Sequence, residues 1–340
     1  MSQQADREGR HVVRVGLGLL VPGTLLLLAG RPELILYAVF GSFAGMYGRT
    51  EPGPERLRHQ FHGAGMLVTG VALGVAFSEL RVPAVLLVVG VTAFAVVGSV
   101  LADALRLQPG GPFFGIFAFG ATATVSPGLV SPYGAILICA GTATWCLSLG
   151  LAPVFAARTD RTPGPTTGGA PGPGLPPGTA VHALRYAVAI AAAGLVGLAL
   201  GIDHANWAMA SAAVPLAVVV VGERLDLGAV VHRATHRVAG TLAGLVVSAA
   251  VLLPGPSPQL LAVVVMVLLF PTELFLSRHY GLALGFFTPL IMIMTELAVP
   301  ADPSGMLLAR GVDTVIGVVA GVAAAAAITG RKERNETWVA

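Results

Sequence analysis

Long apolar runs alternate with short polar breaks along almost the whole chain. A helix that crosses a bilayer needs about 20 mostly apolar residues. About twelve such segments can be placed: 11–30, 34–48, 62–79, 83–102, 112–127, 132–152, 181–201, 205–221, 238–254, 259–276, 280–298 and 307–328. The second and fifth are short and flanked by Gly and Pro. Most breaks are a few residues long, as in a compact bundle. The pattern predicts an all-α, polytopic membrane protein.

Composition strengthens that reading. The chain is 55% hydrophobic and only 11% charged, against roughly 25% charged in soluble domains. Its mean hydropathy is +0.81. The net charge of +3 does not point to nucleic acid, because the basic residues are dispersed and sit at the ends of apolar runs. Cytoplasmic loops are enriched in Lys and Arg. With the N-terminus inside, 17 of the 20 basic residues fall on the inner side, and only Arg31, Arg81 and Arg310 fall outside. This predicts an N-in, C-in protein of the inner or plasma membrane. The N-terminal apolar run is long enough to span, so no cleavable signal peptide is expected. Cys139 and Cys146 share a face of one segment about 10 Å apart, too far for a disulfide.

The stretch 158–180, RTDRTPGPTTGGAPGPGLPPGTA, is rich in Pro and Gly and reads as a cytoplasmic linker. It separates a six-helix repeat over 1–157 from another over 181–330, with a tail at 331–340. HVVR at 11–14 matches HALR at 182–185, and RHQFHGAG at 58–65 lies over RATHRVAG at 233–240. Gly111 and Gly115 match Gly281 and Gly285. Six helices per repeat is even, so the halves would be parallel, related by a pseudo-two-fold axis along the membrane normal. RVAGTLAG and RGVDTVIG follow one template three helices apart, which would also suit a nested 3+3 inverted repeat.

The run HALRYAVAIAAAGLVGLALGIDHANWAMASAAVPL, then HRVAGTLAGLVVSAAVLL, LSRHYGLALGFFTPLIMIMTE and ARGVDTVIGVVAG, resembles the fusaric acid resistance-like family, also called aromatic acid exporters. The resemblance is strong over 181–328 and weaker before it, where His62 and Met66 stand in place of Arg237 and Thr241. It implies an integral membrane exporter of aromatic carboxylic acids or similar anions. Larger members carry a soluble domain where this chain has only its linker. The function expected is gradient-driven export of small organic anions by alternating access. An anion channel and a non-transporting scaffold in envelope assembly remain alternatives.

Candidate chemistry is sparse. No HExxH, GxSxG, P-loop or metal-spaced Cys/His set occurs, so no enzyme, cofactor or metal is expected. The partners expected are membrane lipids and a small organic anion, with a homo-oligomer left open. Arg310 and Asp313 are three apart and can share a helix face. They read either as an outer-interface pair or as a buried gate, with Thr314 supporting either. His11/Arg14 and His182/Arg185 read as positive-inside anchors or as a basic mouth for anions, joined by Arg58, Arg233 and Arg237, and Thr241 is a further substrate or gating candidate. Glu273 reads as a proton carrier if deep, or as a partner of Arg278 if interfacial. Asp103 and Arg106 read as a solvated pair, and Trp207 as an interfacial anchor. The pairs Gly240/Gly244, Gly281/Gly285 and Gly317/Gly321 read as helix-packing faces.

Overall fold

The computed structural model describes residues 2–49, 51, 53–156, 175–201, 205–217, 226–276 and 278–328. Most of the expected linker at 158–180 and the whole 331–340 tail lie outside the described residues. Twelve α-helices and no strand occur among the described residues. In chain order they are α1 Ser2–Leu28, α2 Ile35–Ser42, α3 Gly53–Glu79, α4 Ala84–Ala104, α5 Phe113–Ala123 and α6 Pro132–Ala156. After the linker come α7 Thr179–Ala199, α8 Ala205–Leu216, α9 Leu227–Leu252, α10 Pro258–Leu276, α11 Tyr280–Ala298 and α12 Pro303–Ala327.

Nine helices among the described residues are long and apolar enough to cross a membrane. The exceptions are α2, α5 and α8, of 8, 11 and 12 residues. At about 1.5 Å per residue none of these reaches across a hydrocarbon core of about 30 Å. Short 3-10 turns, Pro32–Leu34 and Phe43–Met46, extend α2 at both ends. The three short helices are almost wholly buried, as is most of α11. They form the centre of the bundle, and the longer helices pack around them. Three helices begin well before the apolar pattern indicates. α1 takes in SQQADREGR, α3 takes in RLRHQFH, and α9 takes in HRATHR. Hydropathy stops at such charges, whereas a helix with satisfied backbone continues through them. The N-terminus of α9 is capped by Asp226, whose side chain accepts from Gly228 N–H at 2.8 Å. Asp302 caps α12 in the same way, through Gly305 N–H at 2.7 Å. Hydrogen bonds from the Ser304 hydroxyl and from Gly305 N–H hold its exposed carboxyl below the usual Asp range.

Within the first half, α3 packs on α5 and α6, and α2 on α6. Within the second half, α9 packs on α11 and α12, and α8 on α12. Between them, α1 meets α10, α4 meets α7, α5 meets α8, and α2 meets α11. Glycine allows the closest of these approaches. A Cβ on Gly240 would meet the Gly281 carbonyl oxygen, and one on Gly244 would meet Thr288 and the Leu284 carbonyl. Gly317 and Gly321 lie on the Ala208 and Ala212 carbonyls of α8 in the same manner. Gly70 and Gly74 of α3 lie on the Gly115 and Phe119 carbonyls of α5. The expected role of Gly285 is not found, since nothing lies within 4 Å of the position its Cβ would take. Gly281 contributes its carbonyl rather than its missing side chain; a Cβ there would touch the His236 ring at an ordinary 3.4 Å.

Gly240→Val should therefore destabilise the protein by about 1–3 kcal/mol, the usual cost of overpacking, while Gly285→Ala should be neutral. Thermal midpoints of the two variants in the same detergent check this contrast.

Candidate functional site

A cavity of about 300 Å³ opens at the Arg-rich end of the bundle, among α5, α8, α9, α10 and α11. Its walls carry Arg49, Arg233 and Arg237 beside the rings of Phe113, Phe114, Tyr280 and Phe287. Helical spacing explains the assembly. Arg233 and Arg237 are one turn apart on α9, whose glycine face holds it against α11, the helix that brings Tyr280 and Phe287. Arg237 is 1% exposed. Its guanidinium carbon lies 5.4 Å from the centre of the Phe113 ring, and its Nε and Nη2 have no hydrogen-bond partner. Arg233 sits 4.7 Å from the Tyr280 ring. A guanidinium offers a planar fork that matches a carboxylate. Here two such forks lie beside aromatic faces in an apolar cavity.

Another arginine lies deeper. Phe113 and Phe117 are one turn apart on α5, with centroids 6.2 Å apart and planes within 11°. Arg310 lies 6.0 Å from Phe117 and 5.3 Å from Trp207. Trp207 is therefore a wall of this buried site rather than an interfacial anchor; it is 1% exposed. Arg310 and Asp313 are buried too, at 1% and 0% exposure, so neither is presented at the surface of the bundle. They form no ion pair with each other. Nε and Nη1 of Arg310 and both oxygens of Asp313 have no hydrogen-bond partner. Nearby in the chain or on packed helices, Asn206, Ser211, Thr241, Thr288 and Thr295 are also buried with unpartnered side-chain atoms. Thr314 is not among them. Its hydroxyl donates to the Arg310 carbonyl at 2.8 Å, a bond within its own helix.

The remaining expected residues gather at the seams between the two halves. Glu273 is fully buried, and its Oε1 lies 2.8 Å from His11 Nε2 and 3.1 Å from Arg49 Nη1. It is deep and paired, and its partners come from the first half. Arg49 also donates to the Glu273 carbonyl at 2.9 Å. Arg14, half-buried, reaches His11 Nδ1 at 2.6 Å. On the other seam His182 Nδ1 lies 2.8 Å from Asp103 Oδ2. Asp103 thus pairs across the seam rather than with Arg106. Arg185 donates to the Ile328 carbonyl at 2.9 Å, which ties α7 to the end of α12. Arg14 and Arg185 hold neighbours and do not line the cavity. The sequence reading missed Arg49, whose only signal was a lone Arg after an apolar run. Among the described residues no cluster of three or more His, Cys, Asp or Glu could hold a metal ion.

Fold and cavity together define a multi-span helical membrane protein with a basic, aromatic-lined chamber. Residues 189–324 match the fusaric acid resistance protein-like family, and over that stretch the chain is similar to it. A 144-residue segment is 31% identical to a protein of Bacillus subtilis (strain 168) described as uncharacterized membrane protein YvaC. The match covers 42% of this chain and 22% of that relative, so the chain spans about a fifth of the relative's length. No solved structure matches.

The two buried acids should behave differently. Glu273→Gln strips the partner from Arg49 and should cost about 3 kcal/mol, as when a buried pair is broken. Asp313→Asn removes a charge that has no hydrogen-bond partner and should shift the thermal midpoint far less. Melting the two variants side by side in detergent distinguishes them.

Proposed function

We propose that the protein moves small organic anions, such as aromatic carboxylic acids, out across the cytoplasmic membrane, with the Arg-rich cavity as its inner substrate site. The observation that carries this is Arg237. Its guanidinium is buried and has two nitrogens without partners, yet it lies against Phe113 in an open chamber. Tyr280 interacts with this guanidinium, but a buried charge still short of partners is costly. An aromatic carboxylate would satisfy both features at once, its anion on the fork and its ring among Phe113, Phe114 and Phe287. Arg310, one α5 turn deeper, is the next station on the way out. The positive-inside reading supports placing the Arg-rich end in the cytoplasm.

Alternating access between two halves is the mechanism in this proposal, and the packing supports it. Adding six to each helix number, or subtracting six, turns the α1–α10 contact into α7–α4 and the α5–α8 contact into α11–α2. Such interchange is what a pseudo-two-fold axis gives. Inside each half, α3–α5 corresponds to α6–α2, and α9–α11 to α12–α8, which favours the nested inverted repeat as well. In this scheme the cavity, bounded by helices of both halves, opens and closes as the halves rock.

Calorimetric titration of the protein in nanodiscs with benzoate tests the site. Arg237→Ala should weaken benzoate at least tenfold, about 1.4 kcal/mol, and Arg237→Lys should recover part of it. Benzyl alcohol, which has the ring without the charge, should compete poorly. Equal binding by the Ala variant, or equal competition by the alcohol, would remove Arg237 from the substrate site.

A further inference from the structure

The two seams between the halves are each fastened by one His–carboxylate pair. His11 of α1 meets Glu273 of α10, and His182 of α7 meets Asp103 of α4. The histidines occupy matching places, in HVVR and HALR, and the acids lie on helices six apart. Their surroundings differ in one respect that fixes the protons.

His11 stands between a donor and an acceptor. Arg14 Nη2, which can only donate, faces Nδ1 at 2.6 Å. Nδ1 therefore holds a lone pair, and the ring's one proton is on Nε2, donated to Glu273. His182 stands between two acceptors. Asp103 Oδ2 faces Nδ1 at 2.8 Å, and the Leu216 carbonyl faces Nε2 at 3.1 Å. Both contacts are hydrogen bonds only if the His182–Asp103 pair holds two protons, one on Nε2 and one shared between Nδ1 and Oδ2. The His11–Glu273 pair holds one.

We infer that the His182–Asp103 pair is the binding site for a coupling proton, an inference that rests on the transport reading above. Losing that proton must break one of two contacts. If the remaining proton stays on Nε2, a bare Nδ1 faces the Asp103 carboxylate and the α4–α7 seam loses its tie. If it moves to Nδ1, a bare Nε2 faces the Leu216 carbonyl and the end of α8 is released. Either event reaches the cavity. Leu216 ends α8 between Val214 and Ala217, both of which line the chamber. Tyr186, whose ring lies 5.0 Å from that of His182, presses its hydroxyl toward Gly111, another lining residue. Protons can arrive from outside the bundle, because the Asp103 side chain is 23% exposed while that of His182 is 8% exposed.

Among the described residues, the other groups around the pair do not supply the missing donor. On α7 itself Arg185 is turned to the Ile328 carbonyl, and Tyr186 meets the ring edge-on. α8 brings only the Leu216 carbonyl, with no charged side chain among its described residues. α12 approaches this end with its C-terminal turn, and its charges, Arg310 and Asp313, lie about four turns away along the helix. From α9, Arg233 sits over Tyr280. Past the end of α4, Arg106 is the nearest basic residue in the chain, and cross-seam pairing to His182 has taken Asp103 from it.

Two measurements test this. Nitrogen-15 spectra of histidine-labelled protein in nanodiscs, with signals assigned by His182→Gln and His11→Gln, should show both ring nitrogens of His182 protonated. His11 should show one. Vesicle flux of benzenesulfonate, an aromatic anion that carries no proton of its own, should rise several-fold when a pH difference is imposed. In His182→Gln and Asp103→Asn the imposed pH difference should no longer change the flux. A singly protonated His182 ring with an ionised Asp103, or an unaltered pH response in both variants, overturns the inference. If wild-type protein moves no benzenesulfonate under any gradient, the transport reading fails, and the ring spectra still decide whether the pair holds its extra proton.

Discussion

Backbone-to-backbone contact at glycine is the constraint on which the rest of this bundle depends. In a lipid surrounding, apolar side chains gain nothing by leaving lipid for protein, so helices hold together through close packing and polar contacts. Gly240 on the Gly281 carbonyl fixes α9 against α11. Gly317 and Gly321 on α8 fix α12. These two contacts set the depth and rotation of the helices that carry Arg237 and Arg310. Shifted by one residue, either arginine would turn by about 100° around its helix and leave its aromatic partner. The positions of the charges are consequences of where the glycines lie.

Much of that scaffold is legible in the sequence. Apolar runs mark where the helices lie, although only nine among the described residues are long enough to span, and GxxxG spacing marks Gly240/Gly244 and Gly317/Gly321 as contact faces. What fails has physical causes. Helix starts in α3 and α9 are missed because hydropathy treats Arg and His as an ending, although backbone hydrogen bonds carry the helix through them. Gly285 is misread because spacing cannot say which partner offers a side chain's space and which offers a carbonyl. Trp207 and Arg310 look interfacial by position in their segments. The short α8 instead places Trp207 inside the bundle, and that depth is a tertiary fact.

The site is less legible than the scaffold. Arg237, Arg310 and Asp313 stand out in sequence as charges in apolar helices. Their ring partners, Phe113 and Phe117, come from the other half of the chain, and no local pattern links them. Arg49 and Asp103 are still harder to see. Each gains its meaning from a residue on the far side of a seam, Glu273 and His182 respectively. Cross-seam pairing is the property that single-sequence periodicity cannot express.

The buried charges divide into two kinds, and the division follows the seams. Glu273, His11, Arg14 and Arg49 are linked to one another, although Arg14 Nε, Arg49 Nη1 and Glu273 Oε2 keep no hydrogen-bond partner. They hold two halves together in one arrangement. Arg237, Arg310 and Asp313 lie away from those ties with open hydrogen-bonding capacity. A bundle that needed charge only for stability would not keep the second kind, because apolar residues of similar size pack at no such cost. Asp313 is the sharper case. It replaces the glycine of the RxxGTxxG template, so a packing position has been given over to a carboxylate with no hydrogen-bond partner. Near Arg310 it opposes permanent capture of an anion, since it offsets part of the attraction that draws the anion inward. Passage requires binding that is strong enough to enter and weak enough to leave, and an acid three residues from the deeper arginine supplies that balance.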